Sequence, residues 1–169
     1  ILGYPLSHSI SPAFQQAAFD HYGLSVTYHV WPAAPGDLGD ALKNLYTKNH
    51  LGANVTVPHK EAAVGLVDYV EPTAQRIGAV NTIVHHGDRL IGHHTDLEGF
   101  VRGLRKDGGF DPKDSRVLLL GAGGAARAAA FGLARERVAS LTIANRTISR
   151  AQKLVNELGE FALEVEAIG

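Results

Sequence analysis

The sequence contains no cysteine at all. That removes a disulfide framework, a thiolate nucleophile and any cysteine-built metal site, and it fits a reducing compartment. Neither sign of charge dominates: 16 Lys and Arg stand against 17 Asp and Glu, a formal balance of −1. Nucleic acid or an anionic membrane surface would need a basic excess, so neither class of partner has an electrostatic footing. Also missing is any run near the ~18 uninterrupted apolar residues that a membrane span requires. There is no internal repeat, no low-complexity tract and no visible signal peptide. The chain opens Ile1-Leu2-Gly3 without methionine and ends Glu166-Ala167-Ile168-Gly169 inside an α/β pattern. The expectation from both ends is a fragment, with more missing beyond residue 169 than before residue 1.

What is present is globular material. Of 169 residues, 45% are apolar, enough for the core of one large domain, or of one domain plus part of another. Ser11-Pro12 reads as a helix N-cap with proline at the first helical position, and apolar spacing continues to Gly23. Residues 25–31, SVTYHVW, alternate as a strand, and 36–49 return to helical periodicity. NVTVP (54–58) is the next strand, and 60–70 read as a helix through Val64, Val67 and Val70. A short helix near 72–77 precedes two strand-like runs flanking His86-Gly87-Asp88, a hairpin signal. From Asp96 a helix runs to Gly108-Gly109, and FDPKDS (110–115) then has the composition of a linker.

After the linker, periodicity switches to alternating strands and helices: RVLLL, an alanine-rich helix, SLTIANR, a helix over 147–159, and ALEVEAI (162–168). Such alternation with short connections predicts a parallel sheet covered by helices. The fold class is therefore α/β in two units: an open α/β domain over 1–104, then a Rossmann dinucleotide-binding domain over 105–169, cut short at its C-terminal end.

Between the strand VLLL and its helix lies GAGGAA, which fits G-x-G-x-x-G/A as Gly121, Gly123 and Ala126. The first glycine makes the turn, the second admits a pyrophosphate to the backbone, and the small third residue permits close packing. The helix N-terminus adds unpaired N–H groups and partial positive charge. The plainer reading is a packing turn with no ligand. At the end of the next strand an NAD site would present a carboxylate to the ribose; this chain presents Asn145-Arg146-Thr147, with Arg150 a turn further. Guanidinium groups clamp a 2′-phosphate, which favours NADP.

The first domain collects polar groups at strand ends and loop starts, where open α/β sheets hold ligands. Ser9 and Ser11 beside a helix N-terminus suit a carboxylate, or are simply a cap and a loop hydroxyl. Asn54 and Thr56 fall on one strand face, Asn81 and Thr82 open another strand, and Thr95-Asp96 opens a helix. Lys60 follows Pro58-His59 and reads either as a catalyst or as a surface residue. Together these donors and acceptors suit a small polyhydroxylated acid. His85, His86, His93 and His94 suggest metal, but neighbours on a strand point to opposite faces, so none is expected.

GYPLSHSISP (3–12), NVTVPHK (54–60), IGAVNT (77–82), HTDLEG (94–99), GAGGAARA (121–128) and NRT..RA (145–151) resemble, in this order, the shikimate dehydrogenase family. The resemblance covers essentially the whole chain. It implies an NADP-dependent reversible reduction of 3-dehydroshikimate to shikimate, in chorismate and aromatic amino acid biosynthesis. It also implies a cytoplasmic enzyme with a small-molecule substrate and a homodimer as its compatible assembly. It makes Ser9 and Ser11 the carboxylate-binding hydroxyls and Asn54, Thr56, Asn81 and Asp96 ligands of the ring hydroxyls. Lys60 becomes the catalytic acid/base beside Asp96. Gly121, Gly123, Gly124 and Ala125 line the pyrophosphate, and Asn145, Arg146, Thr147 and Arg150 hold the adenosine ribose and its phosphate. Departures from the family pattern are Gln15-Gln16, where His-Asn is common, and His94, where Asn is usual. A quinate/shikimate dehydrogenase, or a paralogue using a related ring acid, is the alternative; a non-catalytic NADP sensor is a third reading.

Overall fold

The computed structural model describes residues 1–47, 49–161 and 163–169. They pack as two units, Ile1–His94 and Thr95–Gly169. In the first, the elements run β1 (Leu2–Gly3), α1 (Ser11–His21), β2 (Trp31–Pro32), α2 (Leu38–Asn44), β3 (Gly52–Asn54), β4 (Tyr69–Val70), α3 (Pro72–Ile77), β5 (Thr82–His86) and β6 (Arg89–His93). The larger sheet has the order β3-β5-β6-β4, antiparallel except for the β4–β6 pair. β1 pairs in parallel with β2 and touches the chain after β3 through the Leu2–Val55 bridge. The core gathers Leu2, Leu38, Leu45, Val55, Ile83 and Leu90, all essentially inaccessible.

Several sequence-based boundaries move. Residues 60–70 are not a helix: a single 3-10 turn at Ala62–Gly65 leads into β4. The valines there do reach the core, with Val64, Val67 and Val70 packed against it, but through a turn and a strand. The 36–49 helix shrinks to α2, preceded by a 3-10 turn at Pro35–Asp37; Lys48 lies outside the described residues. Of SVTYHVW only Trp31 joins a ladder, while 25–30 carry no regular pairing. NVTVP is strand only at Asn54. Beyond it, Thr56 N–H donates to the Leu2 carbonyl (2.9 Å) and Tyr4 N–H to that of Val57 (3.0 Å). The hairpin and the 72–77 helix stand as read, with β5 and β6 joined at Gly87-Asp88.

The second unit contains α4 (Asp96–Arg102), a π-turn at Gly103–Asp107, β7 (Arg116–Leu120), α5 (Gly124–Arg135), β8 (Ser140–Ala144), α6 (Ile148–Glu157) and β9 (Glu164–Ile168). Its sheet is parallel in the order β7-β8-β9, as the βαβ alternation dictates. Ala162, where the sequence begins the third strand, lies outside the described residues. α5 packs on β7, and α6 on β8 and β9. That face buries Leu141 and Ile143 completely, whereas the opposite face leaves Leu118 59% and Leu120 77% exposed.

α4 packs with this second unit rather than the first. A Cβ added at Gly132 of α5 would meet Val101 of α4 at 3.1 Å, so the two helices touch at a glycine. Arg135 Nη1 also reaches Glu98 Oε1 at 2.5 Å. The packing boundary therefore falls at His94/Thr95, ahead of the 104/105 boundary placed by the linker composition.

Candidate active site

The turn before α1 brings hydroxyls together. Ser11 is the first helical residue rather than the cap; Ile10 holds the capping position and has no side-chain oxygen to offer. Ser9 Oγ instead accepts the Ser11 N–H at 3.4 Å. Ser9, Ser11 and Thr56 line one cleft of about 340 Å³, together with His8. Three hydroxyls at an amino-terminal helix end, where partial positive charge gathers, make an anion- or polyol-binding surface.

Asn54 does not share that cleft. β3 ends at Asn54, so strand alternation does not carry over to Thr56. The Asn54 side chain turns into an ordered hydrogen-bonded line: Tyr28 Oη donates to Asn54 Oδ1 (2.7 Å), and Asn54 Nδ2 donates to Thr82 Oγ1 (3.3 Å). Thr82 Oγ1 then donates to Asn81 Oδ1 (3.0 Å). Burial pushes the Tyr28 hydroxyl up, so it remains a donor across neutral pH. Asn81 is 7% exposed and its backbone links two strands, accepting from Val55 N–H at 2.7 Å and donating to the His93 carbonyl at 3.0 Å. With its Oδ1 taken by Thr82, the Asn81 amide is oriented with its NH2 as donor. Tyr28 is silent in the sequence because its partner is 26 residues away.

Lys60 leaves a turn that is pinned from inside. His59 is 2% exposed and its Nε2 lies 2.7 Å from the Ala33 carbonyl. The His59 N–H bonds the Thr56 carbonyl at 2.9 Å, and Val80 N–H bonds the Lys60 carbonyl at 2.8 Å. The backbone of Lys60 is thereby fixed while its half-buried side chain extends from the turn. In the second unit, Asp96 is the first residue of α4, with Thr95 in the capping position, so Asp96 is not the N-cap. Among the described residues no three His, Asp or Glu gather as a metal-holding group. One of the histidines, His85, spends its Nδ1 on the His50 carbonyl at 2.9 Å.

The dinucleotide motif folds as its chemistry demands. Because Leu120 pairs with Ala144, the turn after β7 and the segment after β8 sit side by side at the carboxyl edge of the sheet. Gly121 N–H closes onto the Ala144 carbonyl at 2.7 Å. Its φ of +107° is a conformation that a side chain resists. Gly123 caps α5 in extended backbone, and a Cβ there would meet nothing within 4 Å, so the space beside its backbone is open. Opposite, Thr147 caps α6, and Asn145 Nδ2 bonds the Thr147 carbonyl at 2.8 Å. Arg146 and Arg150 are exposed and no acidic residue shares the first turn of α6. The residues present fit a phosphorylated dinucleotide: amides at one helix start, guanidinium groups at the next.

Gly121→Val should cost about 1–3 kcal/mol through backbone strain alone. Urea unfolding should show the midpoint falling, and dinucleotide titration should show binding abolished in the fraction that remains folded.

Residues 1–83 match the family model described as "Shikimate dehydrogenase substrate binding domain", and residues 105–168 that described as "Shikimate / quinate 5-dehydrogenase". A shikimate dehydrogenase (NADP(+)) of Geobacter metallireducens is 48% identical over 92% of this chain and 54% of its own length. The crystal structure of shikimate 5-dehydrogenase from Thermus thermophilus, in complex with NADP(H) and shikimate, is 41% identical with a TM-score of 0.88, over 99% of this chain and 61% of that one. A ligand-free 5-ketofructose reductase of Gluconobacter is 33% identical with a TM-score of 0.86, covering 99% of this chain and 61% of that one. The chain thus spans little more than half the length of the curated relative. From its first glycine to its third parallel strand, this chain belongs to the shikimate dehydrogenase family.

Proposed function

We propose that this chain provides the substrate-holding part and the first part of the cofactor-holding part of an NADP-dependent enzyme that reversibly reduces 3-dehydroshikimate to shikimate. The observation that carries the reading is the cleft shared by Ser9, Ser11 and Thr56, which offers a small ring acid both an anion site and hydroxyl partners. The substrate carboxylate rests on Ser9 and Ser11, with Thr56 and Asn81 on the ring hydroxyls. Asn54 serves this site at one remove, by orienting Asn81 through Thr82. Lys60 gives or takes the proton of the reacting oxygen, and Asp96 accepts a hydrogen bond from a ring hydroxyl.

When bound, NADPH supplies the hydride. Gly121, Gly123, Gly124 and Ala125 present backbone to its pyrophosphate, and Asn145, Arg146, Thr147 and Arg150 hold its adenosine ribose and 2′-phosphate. Domain roles divide at 104/105 on this reading. A cytoplasmic setting belongs to the same reading, and a homodimer is compatible with it. Among the described residues no helix is long and apolar enough to cross a membrane.

A second reading, a paralogue that reduces a related hydroxylated carbonyl compound, draws on the likeness to the ketofructose reductase. Absorbance at the reduced-nicotinamide band separates the two. A polypeptide of the relatives' full length should oxidise shikimate with NADP faster than quinate, and faster than either substrate with NAD. Equal or faster turnover of quinate or a ketose would favour the second reading. No turnover of any, with NADP still bound, would favour a sensor.

A further inference from the structure

Gln16, at a departure from the family pattern, is half-buried in α1 and uses both ends of its side-chain amide. Its Nε2 donates to the Val26 carbonyl (3.0 Å) and to Asp20 Oδ1 (2.9 Å), while its Oε1 accepts the Tyr28 N–H (2.9 Å). Nearby on the same helix, Phe19 lies against the Tyr28 ring with centroids 6.4 Å apart. The backbone clamp and the ring contact together decide where the Tyr28 hydroxyl is delivered. That hydroxyl heads the line through Asn54 and Thr82 to Asn81.

Asn54 and Thr82 face each other across β3 and β5, which sets their side chains beside one another. An amide can present either its oxygen or its NH2, and a hydroxyl has a single proton to give. The line therefore has two settings. In the first, Thr82 gives its proton to Asn81 Oδ1 and accepts from Asn54, as the structure shows. In the second, a reversed Asn54 turns its Oδ1 to Thr82 and takes that proton, and Asn81 Oδ1 loses this donor. A phenol gives a hydrogen bond more readily than it accepts one, because its lone pair is drawn into the ring. Tyr28 thus favours the first setting, in which Asn54 Oδ1 accepts from it at 2.7 Å. Burial pushes the phenol up, which keeps its proton in place.

We propose, on the reading that Asn81 bonds a ring hydroxyl of shikimate, that Tyr28 is a positioning residue for the site: placed by Gln16, it fixes which end of the Asn81 amide meets the substrate. Neither Gln16 nor Tyr28 touches the substrate in this scheme. Both act through Asn81, whose backbone is already held between two strands. The polarity of one amide is passed along three hydrogen bonds from a helix that contributes Ser11 to the same site.

A double-mutant cycle in a polypeptide of the relatives' full length tests this. Tyr28→Phe removes one oxygen and keeps the ring against Phe19. The Michaelis constant for shikimate should rise about 2- to 12-fold, the worth of one hydrogen bond, with turnover at saturation nearly unchanged. Thr82→Val cuts the line in the middle and should do the same. Both together should cost no more than the larger single change, since either alone disconnects Asn81 from Tyr28. Gln16→Ala should raise the constant in the parent but not in the Tyr28→Phe background. In heteronuclear NMR spectra of the ligand-free protein, Tyr28→Phe should move the side-chain amide signals of both Asn54 and Asn81. Effects that multiply in the double variant, a loss of turnover with an unmoved Michaelis constant, or Asn81 amide signals that stay in place would each overturn the proposal. An idle parent enzyme whose amide signals still move would leave the positioning line standing and overturn the choice of shikimate.

Discussion

Lys60→Ala, in a polypeptide of the relatives' full length, should turn over shikimate roughly 10²–10⁴-fold more slowly, the usual contribution of a positioned acid/base. The Michaelis constant should move much less. His59, buried and bonded to the Ala33 carbonyl, carries the turn, so the backbone from which residue 60 departs survives removal of the amine. Lys60→Arg sharpens the test. A guanidinium keeps the positive charge but does not release its proton in proteins, so an acid/base role predicts slow turnover with binding retained. If Arg restores turnover, or if Ala mainly raises the Michaelis constant, Lys60 is a binding group and the proton moves elsewhere.

The second large effect concerns the cofactor's phosphate. Arg146 and Arg150 stand exposed at the start of α6, where the helix dipole disfavours a cation and no acidic residue compensates. Replacing both with alanine should weaken NADP binding by about 10- to 150-fold for each charge-assisted hydrogen bond removed, the equivalent of roughly 1.5–3 kcal/mol. NAD, which has no 2′-phosphate, should bind the variant about as well as it binds the parent. Calorimetric titration of both dinucleotides reads this directly. Equal weakening for NADP and NAD would mean that the two arginines support the fold of the turn rather than read the phosphate.

The second unit is readable from sequence because its signals are local. The switch from strand to glycine turn to alanine-rich helix occurs within a dozen residues, and the ladder from β7 to β9 needs only short connections. The β5–β6 hairpin is readable for the same reason, its turn lying between the strands it joins. Residues 60–70 mislead because Val64, Val67 and Val70 recur at near-helical spacing, while Val70 is in fact recruited by β6, a strand some twenty residues later in the chain. Residues 25–30 mislead in the opposite sense: their alternation is genuine, but a strand is defined by a partner. The polar line from Tyr28 to Asn81 and the work of Gln16 are invisible because both join segments distant in sequence. In the sequence Gln16 stands out only as a departure from a family pattern. Ser9, Ser11 and Thr56 line one cleft, whereas Asn54 parts from Thr56 because β3 stops between them.

The bare side of the second unit's sheet has a practical corollary. Leu118, Leu120 and Ile168 all stand in solvent there, alternating with the residues under α5 and α6. An apolar fluorescent probe has a ready resting place on these 169 residues by themselves, so brightening of such a dye is no sign that this stretch has melted. Loss of aromatic circular dichroism, or of protected amides in β8, is the sounder measure of whether it is still folded.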